Sequence, residues 1–193
     1  MNKLLLLLSI ILLFSNINFA QRLSPIEQKI IAEINAQLPQ TEALLKKVVN
    51  INSGTLNKEG VREVGAIFRK EFDDLGFKTQ WISLPDSLNR AGHLVAERKG
   101  NKGKKLFLIG HLDTVFEKVM SFTPYTYLND STVTGQGVND MKGGDIILIS
   151  ALKVLKDNGL LNDTSLTVYF TGDEESAGKP TSISRKDFIE RAK

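Results

Sequence analysis

Cysteine is absent from all 193 residues. Without it no disulfide can staple the fold, no lipid can be attached to a leader cysteine, and no thiolate can bind a metal. Histidine occurs only twice, as His93 and His111, so any metal must rest on imidazole and carboxylate ligands. Internal repeats are absent, as are low-complexity segments beyond the N-terminal leader, and one ordinary domain suits the length. Hydrophobic content of 41% and charged content of 24% exclude a disordered or fibrous chain. A strong charge of one sign is also lacking: the formal charge is +3, with basic and acidic residues intermixed. The one basic cluster, Arg98-Lys99 to Lys104-Lys105, has no aromatic or helical stripe beside it. It reads as a solvated turn, and no nucleic-acid partner is expected.

Residues 1–20 are expected to be a signal peptide. Lys3 supplies a positive start, Leu4 to Phe14 an apolar core, and Ala20 a cleavage point before Gln21. As a helix that core rises about 17 Å, short of the roughly 30 Å of bilayer hydrocarbon. Export to the periplasm or the medium is therefore expected, with no membrane span after cleavage.

Ser24-Pro25-Ile26-Glu27 has the form of a capping box with Pro at the first helical position. The pattern predicts helix to about Leu38, a break near Pro39, and helix again over 41–49. Val61, Val64, Phe68, Phe72 and Leu75 recur at helical spacing, with Gly76 placed as a C-terminal cap. Strands are expected over 77–84, 94–98, 106–109 and 166–170. The continuous run Leu106-Phe107-Leu108-Ile109 suggests a strand buried on both faces. A small hairpin is expected at 125–128 and 132–134, a helix over 141–158 closed by Gly159, and a last helix from Ser184 and Asp187. This order predicts an α/β fold, an α/β/α sandwich with a mostly parallel or mixed sheet.

Three stretches carry chemistry. His111 and Asp113 follow an apolar strand; side chains two apart on extended chain point the same way, toward the carboxyl end where open α/β sheets bind ligands. An imidazole beside a carboxylate suits a metal ligand oriented by an acidic partner; an isolated His-x-Asp equally suits a surface loop. Asp140 lies in the glycine-rich run Gly135 to Gly144, where a carboxylate can approach and bridge two cations. Gly135-x-Gly137 lacks the third glycine of a dinucleotide fingerprint, and Gly178-Lys179 is followed by Pro180, unlike a phosphate-binding loop. Glu174 and Glu175 follow a buried strand and Thr171-Gly172. Their side chains diverge, so one can bind metal while the other serves as a general base; a solvated acidic turn is the plain alternative. Taken singly each stretch is weak, and taken together, in this order, they point to a shared cleft.

Gly110-His111-Leu112-Asp113-Thr114-Val115, Gly135 to Gly144 with Asn139-Asp140-Met141-Lys142, and Thr171-Gly172-Asp173-Glu174-Glu175 together resemble the motifs of the di-zinc exopeptidases and deacylases. This family includes glutamate carboxypeptidase, aminoacylase, acetylornithine deacetylase and succinyl-diaminopimelate desuccinylase. His111, Asp140 and Glu174 stand 29 and 34 residues apart, in keeping with the family. The resemblance implies two zinc ions about 3.5–4 Å apart, with cobalt or manganese as substitutes. It implies Asp140 as the bridging ligand, His111 on one ion and Glu175 on the other. Asp113 would fix the His111 ring, and Glu174 would be the general base in hydrolysis of a small peptide or acyl-amino acid. His93 matches no ligand motif and is expected to be structural. The resemblance further implies a later acidic ligand, a final His, and a lid and dimerisation domain that makes a homodimer of the complete protein. Those positions fall beyond Lys193, so residues 21–193 are expected to be the N-terminal portion of the catalytic domain, inactive alone. The alternative is a non-catalytic chain that binds peptide or is completed by a separate C-terminal half.

Overall fold

The computed structural model describes residues 22–193; the predicted leader lies outside them. Helix α1 (Pro25–Val49) opens with the expected capping box, Ser24 and Glu27 exchanging hydrogen bonds. The predicted break at Pro39 does not occur, and the helix runs through it. A mid-helix proline costs about 3 kcal/mol, but tertiary contacts hold α1 on both sides of it. Asn158 donates to Glu33 before Pro39, and Thr41 bonds Ser150 at 3.1 Å after it. Helix α2 (Lys58–Asp74) buries Val61, Val64, Phe68 and Phe72 completely, as their spacing predicts, and Gly76 follows it at φ +80°.

The main sheet comprises β1 (Lys78–Ile82), β2 (His93–Arg98), β3 (Lys102–His111) and β6 (Thr164–Thr171), in the order β1-β2-β6-β3. The β1–β2 and β2–β6 pairings are antiparallel and β3–β6 is parallel, so the sheet is mixed. A separate hairpin joins β4 (Thr126–Asn129) to β5 (Thr132–Thr134). Helix α3 (Lys142–Asp157) links the hairpin to β6, and α4 (Thr181–Ser184) and α5 (Lys186–Ala192) follow β6. On one face of the sheet, Phe170 meets Phe68 and Phe72 edge-on with ring centroids 5.7 and 5.5 Å apart. On the other, Phe188 of α5 packs edge-on against Tyr169 and Phe107. Helices thus cover both faces.

One expectation about burial fails. β3 is not buried on both faces: Leu106 is 51% and Ile109 55% exposed. Among the described residues β3 pairs with β6 alone, so its outer side is an open edge. Beside it Leu106, Leu108, Leu148, Leu152, Leu155 and Leu161 line a groove of about 480 Å³. An apolar run reports burial of side chains but cannot say whether a strand has one neighbour or two.

Candidate metal centre

Because β3 and β6 are parallel and adjacent, their carboxyl ends reach the same rim, with His111 opposite Thr171. Each strand then turns outward into an acidic loop. The β3 loop continues as Leu112-Asp113-Thr114 and is stitched to the loop after α1 by a bridge between Gly54 and Thr114. The β6 loop continues as Gly172-Asp173-Glu174-Glu175. β3 continues through Gly110 to His111, and a Cβ at Gly110 would lie 2.1 Å from the Asp145 carboxylate and 2.8 Å from the Phe170 ring, so glycine leaves room beneath the rim.

His111 is nearly buried. Its Nδ1 lies 3.0 Å from the Asp113 backbone oxygen and 3.5 Å from the Asp113 carboxylate. Its Nε2 lies 3.1 Å from Asp140 Oδ1 and 4.0 Å from Glu174 Oε2. Burial disfavours charge on this ring, but Asp113 and Asp140 outweigh it and raise the His111 pKa to about 9. His111, Glu174 and Glu175 each present a ligand atom within 4.8 Å of the other two. All five residues expected from the sequence therefore converge at one rim, with Asp140 joined to the group through His111 Nε2.

Asp113 has a larger role than orienting a ring. Fully buried, it accepts Glu174 N at 3.0 Å on Oδ1, and Glu175 N at 3.1 Å and Thr55 Oγ1 at 2.7 Å on Oδ2. The carboxylate thereby sets the backbone of the two glutamates, while the backbone oxygen of the same residue is the hydrogen-bond partner of the imidazole Nδ1. Asp140 and Glu174 have largely exposed side chains, so the rim is open to solvent. Glu175 is held above the usual carboxylate range by burial and by the nearby charge of Asp140. Three carboxylates around one imidazole repel one another, and divalent cations would relieve that repulsion. This donor set of oxygens and one imidazole nitrogen fits zinc, cobalt or manganese.

Several residues of the site escaped sequence reasoning. Lys142 is fully buried, and its Nζ donates to the backbone oxygens of Val48 and Ile51 at 3.0 and 2.9 Å, tying the Asp140 loop to the end of α1. Burial lowers the Lys142 pKa to about 8 against the opposing pull of Asp145. Asp145 is buried with neither carboxylate oxygen hydrogen-bonded, and burial pushes its pKa well above the carboxylate range. A signal for both existed: Lys142 and Asp145 continue the i, i+3, i+4 stripe of Ile146, Ile149 and Leu152 on α3. Thr55 and Arg185 carried no comparable signal. His93 stands apart from the ligand group; it is fully buried, with Nε2 3.0 Å from the Ser184 oxygen and Nδ1 accepting from Gly172 N at 3.2 Å.

Known proteins resemble this chain in sequence and in fold. Residues 107–193 match the model of peptidase family M20/M25/M40. Carboxypeptidase G2 of Pseudomonas sp. (strain RS-16) is 34% identical over 153 residues, which is 79% of this chain and 35% of that protein. A succinyl-diaminopimelate desuccinylase of Marinobacter nauticus is 26% identical over 157 residues, covering 79% of this chain and 40% of that one. Human carnosine dipeptidase 1 shares the fold at a TM-score of 0.70 with 19% identity, over 85% of this chain and 37% of its own. The chain thus spans well under half the length of the relatives it matches. The stretch that resembles peptidase family M20/M25/M40, residues 107–193, carries His111, Asp113, Asp140, Glu174 and Glu175, which the fold brings to one rim.

Proposed function

We propose that this chain builds the greater part of a two-zinc site for hydrolysis of a peptide or acyl-amino-acid amide, as in an exopeptidase of the carboxypeptidase type. The observation that carries the reading is the convergence of His111, Glu174 and Glu175 within 4.8 Å, with Asp140 3.1 Å from His111. Asp140 would bridge two ions, with His111 on one and Glu175 on the other. The chemistry supplied by such a pair is acidification of a water molecule toward a pKa of about 7 and polarisation of an amide carbonyl. Glu174, exposed at the rim and 4.0 Å from His111, would serve as the general base, accepting a proton from water and returning it to the departing amine. Asp113 keeps the glutamate backbone and the His111 ring in register.

Among the described residues each ion would have two protein ligands, the shared Asp140 and one other, where catalytic zinc takes three. The 193-residue chain by itself is therefore proposed to bind metal weakly and not to turn over substrate. The open edge of β3, with Leu106 and Ile109 exposed, favours a working form joined to further polypeptide. Export, read from the leader, is part of the same proposal.

Titration of the protein with Co2+ tests the metal reading through visible absorption. Wild type is expected to develop d–d bands that vanish in Asp140→Asn and His111→Ala. Absence of any bands at millimolar cobalt would reject a metal centre here.

A further inference from the structure

The loop that carries Glu174 and Glu175 is gripped from two sides. Asp113 holds one side through the two glutamate amides. The other side is held through Asp173, whose carboxylate is fully buried. Asp173 Oδ2 accepts Gly178 N at 2.8 Å, closing the loop on itself. Its Oδ1 pairs with Arg185 Nη1, and Arg185 Nη2 donates to the Asp173 backbone oxygen at 3.0 Å. One guanidinium thus fixes both the side chain and the main chain of the residue immediately before Glu174, a two-pronged geometry that lysine cannot reproduce.

His93 completes this grip. Gly172 N–H can only donate, so His93 Nδ1 must be the acceptor; Nε2 then carries the proton and donates to the Ser184 oxygen. The same ring lies 3.9 Å from Asp173 Oδ1. Ser184 Oγ in turn donates to the Gly178 oxygen at 2.8 Å, and Arg90 Nε to the Ser176 oxygen at 2.6 Å. Gly172 through Gly178 is therefore tied to β2 by His93 and to the α4–α5 junction by Arg185.

We propose that Arg185 and His93 are positioning residues for the Glu174–Glu175 pair, acting through Asp173 and Gly172 and setting the metal affinity of the rim. This rests on the metal-centre reading given above. The competing explanation is that Arg185 merely docks α5. Arg191 separates the two, because it also ties α5 down, to Glu97 of β2 at 3.0 Å and Gln80 of β1 at 3.0 Å, without touching the loop.

The experiment uses the full chain as wild type, Arg185→Met, Arg185→Lys, His93→Leu and the control Arg191→Met. Two quantities are read: cobalt affinity from visible titration, and amide hydrogen exchange at Glu174 and Glu175 relative to Val168 in β6. Arg185→Met and His93→Leu are expected to weaken cobalt binding about tenfold or more and to accelerate exchange at the two glutamate amides selectively. Arg185→Lys should recover part of both effects, and Arg191→Met should change neither. The proposal is overturned if folded Arg185→Met keeps wild-type affinity and exchange, or if Arg191→Met weakens cobalt as much. Should Arg185→Met not fold, Arg185→Lys and His93→Leu decide on the same criteria. If wild type binds no cobalt, the metal-centre reading fails, and selective exchange at the glutamate amides alone then judges the anchor.

Discussion

Replacing Asp113 by Asn changes one atom and tests the organisation of the whole rim. The buried carboxylate accepts three hydrogen bonds, two on Oδ2 from Thr55 and Glu175 and one on Oδ1 from Glu174. An amide offers a single acceptor oxygen. If that oxygen keeps the two-donor side, the NH2 group faces the Glu174 N–H, donor against donor, and orphans it. A buried unsatisfied N–H costs about 1–3 kcal/mol, and the two surviving bonds lose charge assistance worth roughly another 1 kcal/mol. Removing a buried charge offsets part of this, leaving an expected net loss of about 2–3 kcal/mol. Urea unfolding followed by Trp81 fluorescence, with chelator present, isolates this effect from metal binding. At a slope of about 2 kcal/mol per molar, the midpoint should fall by about 1–1.5 M. Cobalt affinity of the same variant should fall about 10- to 100-fold. An unchanged urea midpoint would refute the claim that this carboxylate orders the glutamate backbone.

Three further outcomes are expected. Burial holds the His93 pKa below its ordinary 6.5, against the opposing charge of Asp173. The unfolded chain therefore takes up that proton first as pH falls, and stability drops below about pH 6.5 by up to roughly 1.4 kcal/mol per unit until the folded-state pKa is reached. Urea titrations between pH 6.5 and 5 should show a flatter slope for His93→Leu, and an equal slope would contradict the assignment. Phe170→Ala removes a fully buried ring packed on Phe68 and Phe72 and should cost about 3–5 kcal/mol in the same assay; a loss under about 1.5 kcal/mol would mean that the core is not organised around this ring. The double change Leu106→Lys with Ile109→Lys places charge on the open edge of β3 and should suppress concentration-dependent light scattering. Scattering that persists undiminished would locate association elsewhere.

The likeness of the site to the sequence reading is uneven in an instructive way. The five rim residues were legible because each sits at a fixed distance past an apolar strand or a glycine run, and strand ends are local features. The faces of α2 were legible for the same reason: Val61 to Leu75 repeat at the helical period, and the period alone decides which side is buried. The continuity of α1 through Pro39 was not legible, since local propensity argues for a break and contacts made by Glu33 and Thr41 with distant residues override it. The exposed edge of β3 was hidden because hydrophobicity records a side chain's preference and not the number of neighbours its strand has found.

By itself, then, the sequence determined which chemical groups are available, the local elements that carry them and the family that the motifs resemble. Only the tertiary structure decided their joint geometry. The parallel pairing of β3 with β6 brings His111 level with Thr171, and thus two loops more than sixty residues apart in the chain to one rim. It also turned Asp113 inward as the shared acceptor for Thr55, Glu174 and Glu175, and placed Arg185 against Asp173. Hydrogen bonds of this kind join residues distant in sequence through directions fixed by strand register and helix docking. No spacing rule along one chain encodes them, because their geometry exists only after the sheet has formed.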